Sequence, residues 1–113
     1  MNKVIFSVGS PRQADGRVRQ AAGGIPQGNH ITFASVDLLW KVMTPKRWAV
    51  IRAMTGAGPV SIREVARRMA RDVKTVHGDV QALLKVGVIE RTEDGRIVFP
   101  YDEVHVDFVV RAA

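Results

Sequence analysis

The stretch Ser61-Ile62-Arg63-Glu64-Val65-Ala66-Arg67-Arg68-Met69-Ala70-Arg71-Asp72-Val73-Lys74-Thr75-Val76-His77-Gly78-Asp79-Val80-Gln81-Ala82-Leu83-Leu84-Lys85 decides the fold. Ser61 and Glu64 stand in the S-x-x-E spacing that satisfies two orphan donors at a helix start. They predict a helix whose inner face is Ile62, Val65, Ala66 and Met69. Asp72 predicts the cap of a second helix, with Val73, Val76, Val80, Leu83 and Leu84 on one side. Gly87 ends it where a left-handed residue is wanted. The small Ala66 allows the two helices to approach closely. The turn between them falls at Ala70, where glycine is usual, so a left-handed backbone there carries a steric cost.

Reading outward, Thr44-Pro45 supplies an N-cap and a proline at the first helical position, where its missing N–H costs nothing. Trp48, Ile51 and Met54 follow at helical spacing, and Gly56, Gly58 and Pro59 end that element. On the other side, Val88 to Phe99 is split by Asp94-Gly95, a pair that predicts a hairpin turn with positive φ at both positions. Ile89 and Ile97 are expected to face inward, with Arg91 and Arg96 outward. Three helices followed by a hairpin form a winged helix-turn-helix arrangement, in which one helix braces another that fits the major groove.

Towards the chain ends, Val4, Phe6 and Val8 alternate in a short strand, and His30 to Phe33 reads as a second. Ser35 is expected to cap a helix over Val36 to Val42. Val104, Val106, Phe108 and Val110 alternate in a last strand. Pro11 to Ala22 is polar with a mid-segment Gly16 and gives only a faint helical signal; Gly23, Gly24, Pro26 and Gly28 read as a loop. The expected class is therefore α+β: a three-helix core plus a β-hairpin wing, with extra short N- and C-terminal strands. Residues 1–34 form an N-terminal extension expected to serve dimerisation, residues 35–100 the DNA-binding region, and residues 101–113 a strand packing on the N-terminal strand or a second subunit. An uncovered apolar strand is an aggregation hazard, which is the reason to expect a homodimer.

Charge narrows the partner. Between Lys46 and Lys85 nine basic residues face three acidic ones, a net +6 that equals the excess of the whole chain. A basic region concentrated on a folded domain suggests a polyanion. No aromatic residue lies between Ala49 and Val98, so the stacking platforms that hold single strands are missing and duplex DNA is favoured. On a helical wheel the side opposite the apolar set of the third helix holds Lys74, Thr75, Gly78, Gln81, Ala82 and Lys85. Of these, Lys74, Thr75, Gly78 and Gln81 are the candidate base readers. Gly78 would let the backbone lie close to DNA, at the helix-stability cost glycine carries. Lys46, Arg47, Arg63, Arg67, Arg68, Arg71, Lys85, Arg91 and Arg96 are the candidate phosphate contacts. Asp79 is expected to pair with an arginine of the bracing helix, and His77, beside the core face, reads as a packing residue.

Other classes find little support. The absence of cysteine excludes disulfide scaffolds, cysteine zinc fingers and thiol catalysis. His30, His77 and His105 show no metal-ligand spacing with carboxylates, and no phosphate-loop motif occurs. No catalytic residue, metal ligand or cofactor is expected, nor is an enzyme. No apolar run is long enough for a membrane span, and the expected location is the cytoplasm.

The runs Thr44-Pro45-Lys46-Arg47, Ser61-Ile62-Arg63-Glu64-Val65-Ala66 and Arg71-Asp72-Val73-Lys74-Thr75-Val76-His77-Gly78-Asp79-Val80 resemble a known family. So do Ile31-Thr32-Phe33-Ala34-Ser35 and Val98-Phe99-Pro100-Tyr101-Asp102-Glu103. That family is the predicted prokaryotic winged helix-turn-helix transcriptional regulators of the halobacterial, antitoxin-like type; the multiple-antibiotic-resistance type of regulator is more distantly similar. The resemblance spans roughly residues 31 to 110 and implies sequence-specific double-stranded DNA binding by a small autorepressor or antitoxin-like protein, often beside a toxin-like partner. A winged-helix protein–protein adaptor and an RNA-binding module stay open as alternatives.

Overall fold

The computed structural model describes residues 2–9 and 29–109. Val110 and the segment from Pro11 to Gly28, with its expected faint helix and loop, lie outside the described residues. Those described comprise β1 (Lys3–Val8), β2 (Asn29–Phe33), α1 (Val36–Val42), α2 (Pro45–Met54), α3 (Ile62–Met69), α4 (Val73–Lys85), β3 (Glu90–Arg91), β4 (Ile97–Val98) and β5 (Glu103–Asp107). The class is α+β, with four helices among the described residues and short strands. They divide into two units, one built from residues up to Lys41 together with those from Glu103, the other running from Val42 to Asp102.

The first unit is a parallel sheet in the order β2-β1-β5. Phe6 of β1 lies opposite Ile31 of β2 and Val106 of β5, which sets the register on both sides. Because successive side chains alternate faces, Val4 and Phe6 turn to the buried side, where Phe33 packs 6.0 Å from Phe6. Ser7 and Thr32 meet through their hydroxyls at 2.9 Å on the other face. Ser35 caps α1, its hydroxyl accepting from the Leu38 N–H at 3.0 Å. The final strand stops at Asp107, and Val106 remains 40% exposed despite its opposition to the buried Phe6.

The second unit is assembled by caps. Thr44 accepts from the Arg47 N–H, Ser61 from Glu64 N–H, and Asp72 from the N–H groups of Lys74 and Thr75. Each satisfies donors that a helix start leaves unpaired. The capping box is one-sided: the Glu64 carboxylate turns to the guanidinium groups of Arg67 and Arg68. α3 ends with Ala70 at φ 54°, ψ 45°. The Arg71 N–H donates to the Ala66 carbonyl and the Ala70 N–H to that of Arg67, closing the last turn and sending the chain into α4. α4 ends in the same way at Gly87, with Val88 N–H donating to Leu83 and Gly87 N–H to Leu84.

Val50, Ile51 and Met54 of α2, Val65 and Ala66 of α3, and Val76, Val80 and Leu83 of α4 are buried together with Ile89, Ile97 and Phe99. Trp48 is half-buried, and Val50 fills the inward position next to Ile51. Ile97 of β4 pairs with Arg91 of β3 and, on its other side, exchanges both backbone hydrogen bonds with Val60. This ties the α2–α3 connection to the hairpin. The hairpin turn differs from the expected type. Only Gly95 has positive φ; the Gly95 N–H donates to Thr92 and the Thr92 N–H to Arg96. That is a turn over Glu93-Asp94 followed by a left-handed glycine, the longer loop in which a G1 bulge absorbs the extra residue. Asp94 stays out of the left-handed region, and its carboxylate is engaged by Thr92 Oγ1 and the Arg96 guanidinium.

Ala70 is the only residue other than glycine with positive φ among those described. Ala70→Gly relieves the Cβ clash, and the expected gain is about 1 kcal/mol of stability in chemical denaturation.

Candidate nucleic-acid interface

α4 has its start fixed by Asp72 and the turn at Ala70, and its inner side fixed by Val76, Val80 and Leu83. The buried side is thus centred close to Val76, rather than roughly 30° away where the apolar residues alone would place it. Val73, expected in the core, is 37% exposed because it lies in the first turn. Leu84 is half-buried. Ala82, expected on the outer face, is half-buried too. The rotation brings His77 onto the exposed side, where its ring lies 3.4 Å from the Gln81 amide. His77 is therefore a surface residue beside a candidate reader, not a packing residue. The i, i+4 spacing of His77 and Gln81 is the signal in the sequence that links them. Lys74, Thr75, Gly78, Gln81 and Lys85 are all exposed. A Cβ added at Gly78 would have no heavy atom within 4 Å.

The arginines separate into two groups. Arg47 is engaged inside the unit: its Nε donates to Asp79 Oδ1 at 3.1 Å and its Nη1 to the Val42 carbonyl at 3.0 Å. Asp79 thus pairs with α2 and not, as expected, with an arginine of α3, because its half-buried position faces the start of α2. Arg68 donates to Glu64 and, through Nη1, to the Ala53 carbonyl, bracing α3 against α2. Arg91 donates to the Gly95 carbonyl within the hairpin, while Arg96 donates to Asp94 and, across to the α2–α3 connection, to the Pro59 carbonyl. By contrast, Arg63 and Arg71 are exposed, and neither side chain makes an ion pair among the described residues. Arg67 shares Glu64 with Arg68 and is itself 72% exposed. Lys46 is exposed in the first turn of α2.

Two depressions flank the outer side of α4. One, of about 330 Å3, is lined by Ser61, Arg63, Glu64, Ala66, Arg67, Arg71 and Val73 at the start of α3 and α4. The other, of about 790 Å3, lies between the end of α4 and the hairpin and includes Gln81, Lys85, Glu90 and Arg91. Together they place Arg63, Arg67 and Arg71 beside the start of α4, and Lys85 and Arg91 with Gln81 towards its end. Among the described residues no group of His, Asp or Glu could hold a metal ion, and no helix is long and apolar enough to cross a membrane.

The model of the HVO_A0114 family matches residues 42–106. The chain belongs to the HVO_A0114 family. The family segment takes in every residue of this surface, from Lys46 to Arg96, and ends within β5. No curated protein and no solved structure matches the chain.

Glu64 is the one acidic group within the arginine row. Its hydrogen bonds with Arg67 and then Arg68 lower its pKa from the usual 4.5 to about 2. A carboxylate depressed on folding stabilises the native state fully above its unfolded pKa, and that contribution fades as pH falls through the folded value. The stability difference between the wild type and Glu64→Gln is therefore expected to be constant above pH 4.5 and to shrink between 4.5 and about 2, as followed by thermal denaturation across that range.

Proposed function

We propose that the Val42–Asp102 unit is a winged helix-turn-helix and that the protein is a sequence-specific regulator binding double-stranded DNA. The observation that carries this reading is the outer side of α4: exposed Lys74, Thr75, Gln81 and Lys85 on one helix face, with the open guanidinium groups of Arg63 and Arg71 beside its start and acidic Glu90 at its far end. A helix of this kind fits the major groove of B-DNA, where lysine and glutamine match the edges of guanine and adenine. In this reading α3 is the bracing helix, α4 the recognition helix and the β3–β4 hairpin the wing.

The roles follow from which groups are open. Lys74, Thr75 and Gln81 meet base edges, with His77 orienting the Gln81 amide, and Gly78 lets the helix axis approach the groove. Arg63, Arg67, Arg71 and Lys85 neutralise phosphates on either side, with Lys46 at the start of α2 as a further contact. Arg47 and Arg68 act through the fold, holding α2 against α4 and α3. The wing is the weaker element: Arg96 is neutralised by Asp94, which leaves Arg91 to share the cleft with Lys85. Two copies bound to a palindrome would read half-sites about 10 base pairs apart. The regulator type this reading takes from the resemblance is a small autorepressor, or an antitoxin-like protein acting beside a toxin-like partner; duplex binding needs no cofactor, and the cytoplasm, where the DNA of a prokaryote lies, is the place to look for it.

The test measures binding to a duplex selected from a random pool and to an unselected one across a range of salt, with single strands and structured RNA as competitors. Arg71→Ala is expected to weaken both duplexes alike and to lower the salt slope by about one, through one fewer released counterion. Gln81→Ala is expected to cost about 1–3 kcal/mol on the selected duplex and little on the other. Failure to bind any duplex at low salt, or preferential competition by RNA, overturns the reading.

Gly78 separates stability from function. Gly78→Ala meets open space on a helical backbone, so the free protein is expected to gain about 1 kcal/mol of stability. The added methyl stands between α4 and the groove floor, so affinity for the selected duplex is expected to fall. A variant that is more stable and binds equally well would remove Gly78 from the interface.

A further inference from the structure

We propose that the chain forms a two-fold dimer in which the outer edge of β5 pairs with the same edge of a second copy, antiparallel and centred on Val106. Among the described residues β5 has a neighbour on one side only, β1, so its other row of backbone N–H and C=O groups faces outward. Such an edge is a template for another strand. Parallel sheets are rarely left this small and open.

The surroundings of this edge are apolar. Leu38, Trp40, Val106 and Val109 of this unit are large hydrophobic residues between 40% and 65% exposed. Trp40 stands edge-on to Phe108, with ring centroids 5.6 Å apart, so α1 meets the chain just past β5 through apolar rings. Exposed apolar side chains beside an open edge favour an interaction surface.

The occupant is specified by the pattern of β5. One face carries Val104, Val106 and, continuing the alternation, Phe108; the other carries Glu103, His105 and Asp107. A two-fold axis normal to the sheet places one residue opposite its own copy, so the possible registers differ in which residue that is. With His105 on the axis, Glu103 meets Asp107 of the second copy on both sides, and like charges directly opposite are destabilising. With Val104 on the axis, Val106 meets Asp102 of the second copy, beyond the start of β5. With Val106 on the axis, each His105 faces an Asp107 and each Val104 faces a Phe108. In that register His105 and Asp107 become cross-strand partners, and Glu103 meets Val109 rather than another carboxylate.

This inference stands apart from the nucleic-acid reading, and its test contains no DNA. The full chain is examined by sedimentation velocity at tens of micromolar as wild type and as Val106→Lys, with far-UV circular dichroism as the control for folding. Val106 is a half-exposed edge position, so lysine is expected to leave the fold intact while weakening the dimer by about tenfold or more, because two ammonium groups meet on the axis. Since the chain has no cysteine, Val106→Cys and His105→Cys report the register directly under oxidising conditions. Val106→Cys is expected to give a covalent dimer several-fold more readily than His105→Cys. A monomeric wild type, a dimer indifferent to Val106→Lys, or equal cross-linking by the two cysteine variants would overturn the proposal.

Discussion

The reversal between α3 and α4 depends on a single left-handed residue, and much of the second unit depends on that reversal. The pair of hydrogen bonds from Arg71 to Ala66 and from Ala70 to Arg67 closes α3 and aims the chain so that Asp72 can cap α4 immediately. Ala70 accepts a backbone conformation that its Cβ disfavours, because both bonds and the burial of Ala66 and Val76 on either side require it. A looser turn would release the angle of α4 and with it the relation between its outer face and the arginines of α3. The geometry of the candidate interface is thus set by backbone hydrogen bonding before any side chain meets a ligand.

Around that turn the acidic residues act as distributors of positive charge. Asp79 draws Arg47 inward, Glu64 gathers Arg67 and Arg68, and Asp94 folds Arg96 onto the hairpin. Surface ion pairs of this kind stabilise little. Their consequence is positional, since each one decides which guanidinium groups stay open. Arg63 and Arg71 stay open. The ion pairs thus leave Arg63 and Arg71 open beside the starts of α3 and α4, while Lys46 and Arg52 keep positive charge exposed on α2.

The N- and C-terminal strands obey a different constraint. A parallel pair between β1 and β5 joins the two ends of the chain, with Phe6 and Val106 in register. Central β1 is well covered and edge β5 is not, because an edge strand has one neighbour and its apolar face extends past it. The sheet unit and the helical unit thus divide two physical tasks, exposing apolar surface in one and basic surface in the other.

What the sequence by itself determined is whatever one helical turn or one hairpin settles. Thr44, Ser61 and Asp72 cap their helices, Ser35 caps α1, and Gly87 and Gly95 take positive φ, since each of these interactions spans no more than five residues. The inward positions Val65, Ala66, Val76 and Val80 followed from periodicity for the same reason. Only the tertiary structure decided the rest. That Asp79 meets Arg47, that His77 is exposed while Ala82 turns inward, and that Val73 stays in solvent all depend on how α4 is rotated against α2 and α3. Helical periodicity names an apolar stripe wider than one residue step, and packing fixes where within it the buried side is centred. The structure also shows the hairpin turn type, with Thr92 and Arg96 engaging the Asp94 carboxylate, and sets the parallel order β2-β1-β5 by pairings across most of the chain. Alternation in a strand says which residues share a face. It contains no information on which strand lies alongside, because that depends on backbone groups that every residue carries alike.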